Sequence, residues 1–352
     1  MNRFIFVMPD LSFGGAQRVV SELLNNIVSI PGNHVKLILL FKDECFFSLN
    51  SDVEVKCLHN SPSMSMTNMI HSLCKLRKEV VNWETDVVLS FHQRYNPFVI
   101  MSLVGTGIPV FVSDRSNPYN KLSPKINEFF RKILYPKAQG LIVQTNLSAM
   151  VKMKLNKNIL VMPNPLKCMN YYEDMSQKEN IIINVGRMDK EKGHHELVKI
   201  FSMIIDKGGW KLCFVGDGPE RNNIEKYVKE LSLTDSVIFL GARKDMDELL
   251  AKSKIFAFTS LSEGYPNALL EAMAMGLPCI SFDCIAGPSD LINNGDRGIL
   301  VSLNNYDEYA RCLKNLMNDE ALRRKLGENA KYVRQQNNIH KITKSLLSFI
   351  NK

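Results

Sequence analysis

The sequence predicts an α/β protein of two doubly wound domains, each a parallel sheet with helices on both faces. Three observations lead there. Short β-branched runs alternate with stretches of helical period, the mark of strand–helix–strand units. The alternation pauses at Met162-Pro163-Asn164-Pro165 and a polar stretch over 171–180, which read as a linker, and then starts again. The chain's 352 residues are enough for two or three cores at about 150 residues each. The domains are therefore drawn at 1–165 and 166–335, with 336–352 as a closing helix.

In the first domain, strands are expected at 4–8, 35–41, 53–58, 87–91, 110–113, 141–144 and 159–162. Apolar residues at helical spacing predict helices at 17–26, 68–81, 124–134 and 147–155. At the third of these, Ser123 reads as the cap and Pro124 as a first-turn residue. The second domain carries strand runs at 181–185, 211–215, 237–240, 255–258, 279–282 and 299–301, again separated by helices. Helices at 307–317, 320–335 and 340–350 close the chain. Open parallel sheets bind ligands at the carboxyl ends of their strands. Two such domains facing across a cleft would admit two substrates, which suits group transfer.

Composition narrows the class. With 45% hydrophobic and 23% charged residues, the chain is an ordinary globular protein rather than a disordered, collagen-like or coiled-coil one. No apolar run reaches the roughly 20 residues that span a bilayer; the nearest, 97–112, is broken by Gly105, Gly107 and Pro109. The first ten residues hold one basic residue and too short an apolar stretch for a signal peptide, so a cytoplasmic protein is expected. Eight cysteines show no Cys-x-x-Cys pair and no histidines at metal spacing, and are expected to be reduced thiols. The net charge of +8 is uneven: residues 1–165 hold 18 Lys and Arg against 11 Asp and Glu, the rest 26 against 25. An anionic partner for the first domain follows, and nucleic acid and anionic lipid both fit at this point.

Two segments carry chemistry. In Asn184-Val185-Gly186-Arg187-Met188-Asp189-Lys190-Glu191-Lys192-Gly193, a strand end leads into a helix. Gly186 lets a ligand approach the backbone, Arg187 offers a planar fork of donors and Lys192 a point charge. Either this is a phosphate site or it is an exposed basic loop around a structural glycine. In the second segment, Glu263-Gly264-Tyr265-Pro266 precedes a helix through Asn267, Ala268 and Glu271. Pro266 suits the first helical position, leaving the Asn267 and Ala268 amides for an anion. Glu263 lies before this helix and Glu271 roughly 8 Å into it. Each glutamate taken alone also reads as an ordinary surface or helix-dipole residue.

Arg187, Lys192 and the Glu263/Glu271 pair, on successive strand ends, resemble glycosyltransferase family 4, retaining enzymes of the GT-B fold. Gly216-Asp217-Gly218-Pro219, residues 241–250 and Ala286-Gly287-Pro288 add to the likeness, which covers nearly the whole chain and is most specific over 180–302. The resemblance implies that Arg187 and Lys192, with Gly186, hold the diphosphate of a UDP-sugar. It further implies that Glu263 contacts the transferred sugar, with Gly264, Asn267 and Ala268 beside it. Glu271 would bind ribose, and the backbone at Ala242 and Arg243 would meet the base. Arg187, Lys192 and Glu263 are the catalytic candidates. Cations there can stabilise the departing nucleoside diphosphate without a metal, so no metal and no other cofactor is expected. The closing helix is expected to cross back onto the first domain.

In the first domain, Asp10-Leu11-Ser12-Phe13-Gly14-Gly15-Ala16-Gln17-Arg18 joins the first strand to the first helix. It is neither a dinucleotide fingerprint nor a P-loop. The resemblance places such a turn at the cleft, with Gly15 near the donor phosphate and Gly14 near the acceptor; a purely structural turn is the other reading. Relatives have a histidine where this chain has Arg115, after Asp114, so Arg115 and His92 are the sugar or acceptor candidates.

Two basic amphipathic stretches bear on membranes. One sets Leu122, Ile126, Phe129, Phe130, Ile133 and Leu134 among Lys121, Lys125, Arg131, Lys132 and Lys137; the other sets Met69, Leu73, Leu76 and Val80 beside Lys75, Arg77 and Lys78. Such helices lie in a lipid interface or face a core with a solvated basic rim. The expected function is transfer of a hexose or N-acetylhexosamine from a UDP-sugar to a polyprenyl-diphosphate-linked saccharide. The setting would be bacterial surface-polysaccharide synthesis at the inner face of the cell membrane. A UDP-sugar 2-epimerase, a non-catalytic membrane-associated scaffold and a nucleic-acid-binding protein are the rivals. The last lacks any motif and interleaved aromatics, so no nucleic acid is expected.

Overall fold

The computed structural model describes residues 2–12, 14–43, 45–59, 66–171 and 178–351. Phe13 of the glycine turn and residues 172–177 of the linker stretch lie outside the described residues, as does the side chain of Met69. The chain forms two compact units, residues 1–165 with 337–352, and residues 166–336.

The first unit runs β1 (Asn2–Met8), α1 (Gly15–Val28), β2 (Asn33–Leu39), β3 (Val53–Cys57), α2 (Met66–Asn82), β4 (Val87–Ser90) and α3 (Asn96–Leu103). It continues with β5 (Val110–Asp114), α4 (Lys125–Leu134), β6 (Gly140–Val143), α5 (Asn146–Lys152) and β7 (Ile159–Val161). The sheet is parallel throughout, in the order β3-β2-β1-β4-β5-β6-β7. Alternate side chains of a strand point to opposite faces, and β1 is apolar on both. Phe4, Phe6 and Met8 pack into one core with Leu23 and Leu24 of α1, while Ile5 and Val7 enter a second core with Leu76 and Val80 of α2. Each fully buried side chain of this size stabilises the fold by about 1.5–3 kcal/mol.

The second unit runs β8 (Ile181–Val185), α6 (His194–Ser202), β9 (Lys211–Val215), α7 (Arg221–Glu230), β10 (Val237–Phe239), α8 (Met246–Lys252) and β11 (Ile255–Phe258). Then follow α9 (Asn267–Ala274), β12 (Cys279–Asp283), α10 (Pro288–Leu291), β13 (Ile299–Ser302), α11 (Tyr306–Asn318), α12 (Glu320–Ala330) and α13 (Val333–Gln336). Its parallel sheet has the order β10-β9-β8-β11-β12-β13, and again both faces are covered. In both sheets the winding reverses beside the unit's first strand.

The last helix, α14 (Ile339–Ile350), belongs to the first unit. Asn337 Nδ2 donates to the Asn164 carbonyl at 2.8 Å, and Asn338 caps α14 by accepting from the His340 and Lys341 amides. The Phe349 ring then packs on Phe111, over Gly140, where a Cβ would lie 2.7 Å from that ring.

Several expectations change. Residues 96–103 form α3, where the sequence offered only an apolar run. The expected helix 320–335 breaks into α12 and α13. Pro124, not Ser123, is the residue before α4, and no side chain caps that helix. The α2 stripe faces the core: Leu73, Leu76 and Val80 are buried, while Lys75 and Arg77 donate to backbone carbonyls of Leu58, Ser102 and Val104.

Candidate functional site

In the second unit, β8 pairs with β11 only through Ile182–Ile255 and Ile183–Phe256. Beyond that the strands part, because β8 continues against β9 to Val185 while the Phe258 amide donates to the Tyr309 hydroxyl at 3.0 Å. Asn184 reaches across, donating to the Ala257 carbonyl at 2.8 Å. This is the switch point of the sheet, where an open α/β fold leaves a crevice at its strand ends.

The loops after β8 and β11 are tied together over that crevice. Gly193 takes φ +65°, and a Cβ there would lie 1.9 Å from the Thr259 carbonyl oxygen, so only glycine fits. Thr259 Oγ1 donates to the Gly193 carbonyl at 2.7 Å, and the Leu261 amide to that of Glu191 at 2.7 Å. Asp189 heads the short turn before Gly193, its carboxylate accepting from the Lys192 amide at 3.2 Å. Lys192 is thereby aimed at Glu263, and Nζ meets Oε1 at 2.6 Å. The same oxygen accepts from Ser260 Oγ at 2.7 Å. An ammonium has three donors, so the one spent on Glu263 leaves two for a phosphate. Arg187 is exposed, and among the described residues no carboxylate pairs with it.

Two further strand ends join in. Gly216, after β9, has φ +136° and would place a Cβ 1.9 Å from the Gly186 carbonyl oxygen, so this close approach also requires glycine. The Met188 amide donates to the Asp217 carbonyl at 3.0 Å, pinning the Gly186–Lys192 loop from the other side. After β10, the Arg243 side chain forms a two-pronged pair with Asp245, at 2.8 and 2.5 Å, so its fork is already engaged. Beneath the β8 loop, His194 is 1% exposed, and among the described residues neither ring nitrogen has a hydrogen-bond partner. Burial pushes its pKa down to about 4, with Asp189 opposing and Lys192 adding to the shift. The imidazole is neutral near pH 7.

Helix α9 starts at Asn267, with Pro266 as its cap residue rather than its first residue, so the Asn267 and Ala268 amides head the helix. Gly264 and the half-buried Asn267 and Ala268 stay beside Glu263, and Gly287 of the β12 loop packs against the Pro266 ring. Glu271 lies one turn deeper and is buried. Its Oε2 faces the Lys167 ammonium at 3.6 Å, and Lys167 also faces Asp247 Oδ1 at 3.1 Å. Lys167 escaped the sequence reading because a lone lysine in a linker carries no local signal. Among the described residues no group of three or more His, Cys, Asp or Glu side chains is placed to hold a metal ion. All eight thiols are free, and burial raises that of Cys284, near Glu263, to about 12.

The first-unit candidates sit at the matching switch point, after β1 and β4. Gly14 precedes α1 in extended conformation and Gly15 begins it. Asp10 accepts from the Ser12 amide at 3.0 Å and from Gln17 at 3.4 Å, closing the turn. His92 follows β4, half-buried against Tyr95; burial lowers its pKa, opposed by Asp10 and Asp114 and reinforced by Arg94. Arg115 is drawn away from open solvent, donating to Asn164 Oδ1 and, at 3.4 Å, to Ser113 Oγ. It is held as a strut between β5 and the chain's crossing point, and its fork is not open for a sugar.

The membrane candidates divide. Ile126, Phe129 and Ile133 stand exposed on one face of α4, with Lys121, Lys125, Lys132 and Lys137 exposed around them. Arg131 does not belong with them: it is 6% exposed, 2.8 Å from Glu128 and 3.7 Å from Asp114. Asp114 also pairs with Lys152 at 2.7 Å, a fully interior ion pair whose burial lowers the lysine's pKa. Leu122 and Leu134 are buried as well. No helix of the described residues is long and apolar enough to cross a membrane.

Residues 173–333 match the family described as Glycosyl transferases group 1. A Campylobacter jejuni protein named GalNAc-alpha-(1->4)-GalNAc-alpha-(1->3)-diNAcBac-PP-undecaprenol alpha-1,4-N-acetyl-D-galactosaminyltransferase is 29% identical over 340 residues, covering 94% of this chain and 93% of its own. A second from the same organism, an N-acetylgalactosamine-N,N'-diacetylbacillosaminyl-diphospho-undecaprenol 4-alpha-N-acetylgalactosaminyltransferase, is 27% identical over 355 residues, covering 94% of each. Among solved structures, Anabaena HepE in complex with UDP superposes with a TM-score of 0.82 at 17% identity, covering all of both chains.

Proposed function

We propose that this chain, which carries a Glycosyl transferases group 1 domain over residues 173–333 and has the GT-B fold of two Rossmann-like domains, is a retaining, metal-independent transferase. It moves a hexose or N-acetylhexosamine from a UDP-sugar to a polyprenyl-diphosphate-linked saccharide. The observation that carries this reading is the Lys192–Glu263 contact at the switch point of the second sheet. It sets a cation and a carboxylate side by side where an α/β fold binds ligands. The Campylobacter relatives, whose names specify undecaprenyl-diphosphate-linked acceptors, support the choice of acceptor.

Arg187 and Lys192 hold the diphosphate, and Glu271 takes ribose hydroxyls. Glu263, kept in place by Lys192 and Ser260, contacts the transferred sugar. As the bond from the sugar C1 to the diphosphate oxygen breaks, its electron pair leaves with UDP, and the two cations stabilise that growing charge. The acceptor hydroxyl attacks C1 from the same face and gives its proton to the departing phosphate, which preserves the α configuration. The first unit takes the acceptor, through Gly14 and His92. Its α4 rests on anionic lipid, with Ile126, Phe129 and Ile133 in the interface and Lys121, Lys125 and Lys132 at the headgroups.

The test is UDP release by the purified chain with UDP-hexoses and UDP-N-acetylhexosamines, with and without an undecaprenyl-diphosphate-linked saccharide, in EDTA. Release that requires acceptor, survives EDTA and gives an α-linked product is the expected result. Epimerised or hydrolysed donor without acceptor, or a β-linked product, would overturn it.

A further inference from the structure

Glu271 is an unusual place for a carboxylate: inside α9, buried, and near a second carboxylate, Asp247 at the first turn of α8. Two carboxylate oxygens lying 3.6 and 3.1 Å from one nitrogen are close neighbours, and that nitrogen is Lys167 Nζ. Lys167 stands in the stretch leading into the second unit, and its own position is fixed nearby, since the Asn170 amide donates to Asp247 Oδ2 at 2.9 Å. The Lys167 side chain is 23% exposed, against 10% for Glu271 and 18% for Asp247, so water screens this trio weakly. Like charges so close repel each other, and the ammonium between them offsets that repulsion.

We propose that Lys167 is a positioning residue for nucleotide recognition, holding the Glu271 carboxylate beside Asp247 and oriented to accept from ribose hydroxyls. The inference rests on the ribose role assigned to Glu271 and goes beyond it by naming what keeps that carboxylate in place. Without the ammonium between them, repulsion from Asp247 would turn the Glu271 carboxylate away from the ribose and lose its charge-assisted bonds, which are roughly twice as strong as neutral ones. Lys167 does not need to touch the nucleotide for this. Its effect falls on donor binding and on discrimination at the ribose, and it leaves the diphosphate cations untouched.

The experiment compares UDP with 2'-deoxy-UDP, by calorimetry at pH 7, in the full-length chain and in Lys167→Met, Lys167→Arg and Glu271→Gln. The wild type should prefer UDP by about tenfold or more, the worth of a hydrogen bond to a charged group. Glu271→Gln should erase most of that preference. Lys167→Met should erase it too, while raising the donor KM and leaving kcat at saturating donor within about twofold. Lys167→Arg should restore it. If Glu271→Gln keeps the preference, the ribose assignment itself fails. If Glu271→Gln loses it and Lys167→Met keeps it, the ribose assignment stands and the role of Lys167 falls. A Lys167→Met chain that loses kcat and affinity together would mark the lysine as merely structural and would also overturn the inference.

Discussion

Replacing Lys192 by alanine separates the chemistry of the site from its architecture. In the structure the ammonium is 2.6 Å from Glu263 Oε1, and that carboxylate, only 9% exposed, keeps a second donor in Ser260 at 2.7 Å. Losing one partner of a buried group costs about 1–3 kcal/mol. Because the Lys192 side chain is 29% exposed, water can replace part of the contact, and the lower figure applies. In a protein of this size that is a Tm shift of about 1–2 °C. The loop itself stays in place, because the Asp189, Thr259 and Leu261 hydrogen bonds do not involve the lysine side chain. Catalysis should suffer far more. Removing one preorganised donor from a developing anion lowers kcat by about 100- to 1000-fold. Calorimetric melting and acceptor-dependent UDP release on the same preparation would show both effects. A variant that folds and turns over within about threefold of wild type would refute the diphosphate role; one that fails to fold would refute the reasoning about the loop.

Three other outcomes follow from the structure. Lys152→Met should cost about 3–5 kcal/mol in urea denaturation, because among the described residues Asp114 is left buried with the more distant Arg131 as its one remaining cation; a loss under about 1 kcal/mol would refute the weight given to this ion pair. His194 is held neutral by burial, near 4 against the usual value of about 6.5, so the unfolded chain takes its proton first as pH falls. Stability should therefore drop between pH 6.5 and about 4, by up to about 3 kcal/mol, and the drop should be absent in His194→Gln; parallel stability curves would refute it. Phe129→Ser with Ile133→Ser should weaken sedimentation with anionic phosphatidylglycerol vesicles by about thirtyfold, taking roughly 1 kcal/mol for each half-exposed side chain, and unchanged binding would remove α4 from the interface.

The strands were legible throughout. Every β-branched run became a strand with ends shifted by no more than two residues; the central strands, buried on both faces, must be apolar along their whole length, while the edge strand β3 was marked by Val53 and Val55 between Glu54 and Lys56. The helices were less so. Asn96, Pro97, Phe98, Val99, Ile100 and Leu103 of α3 are buried on nearly every side, which erases the period that a helix shows when one face meets water. At the site, sequence put Gly186, Lys192 and Glu263 on strand ends, but their adjacency depends on β8 and β11 being neighbours at the switch point. Strand order is a property of the packed sheet and not of any one segment. Lys167 shows the same limit more sharply, since its partners on α8 and α9 are distant in sequence.

Helix α4 shows that periodicity defines a face without saying which way it points. Its inward positions are Asn127, Arg131 and Leu134, with Glu128 and Phe130 partly covered, and its outward ones are Ile126, Phe129 and Ile133. Turning the helix over would bury three large apolar side chains, worth about 1.5–3 kcal/mol each. It would also carry the Arg131–Glu128 pair into solvent, leave Asp114 with Lys152 but without Arg131, and take Leu134 and Phe130 out of the core, where Phe130 packs on Phe98. Arg131, Leu134 and Phe130 together set the roll of α4, and the apolar face they leave outside is one that a lipid surface can cover. Arg131→Leu distinguishes this from a surface-charge role. If Arg131 read headgroups, its loss would weaken vesicle binding by about 1 kcal/mol and the deficit would vanish as salt rises. If it orients α4, the variant should bind vesicles several-fold more weakly than wild type at low and high salt alike, and melt at lower temperature. A deficit confined to low salt would return Arg131 to the headgroup role and leave the roll of the helix to Leu122, Phe130 and Leu134.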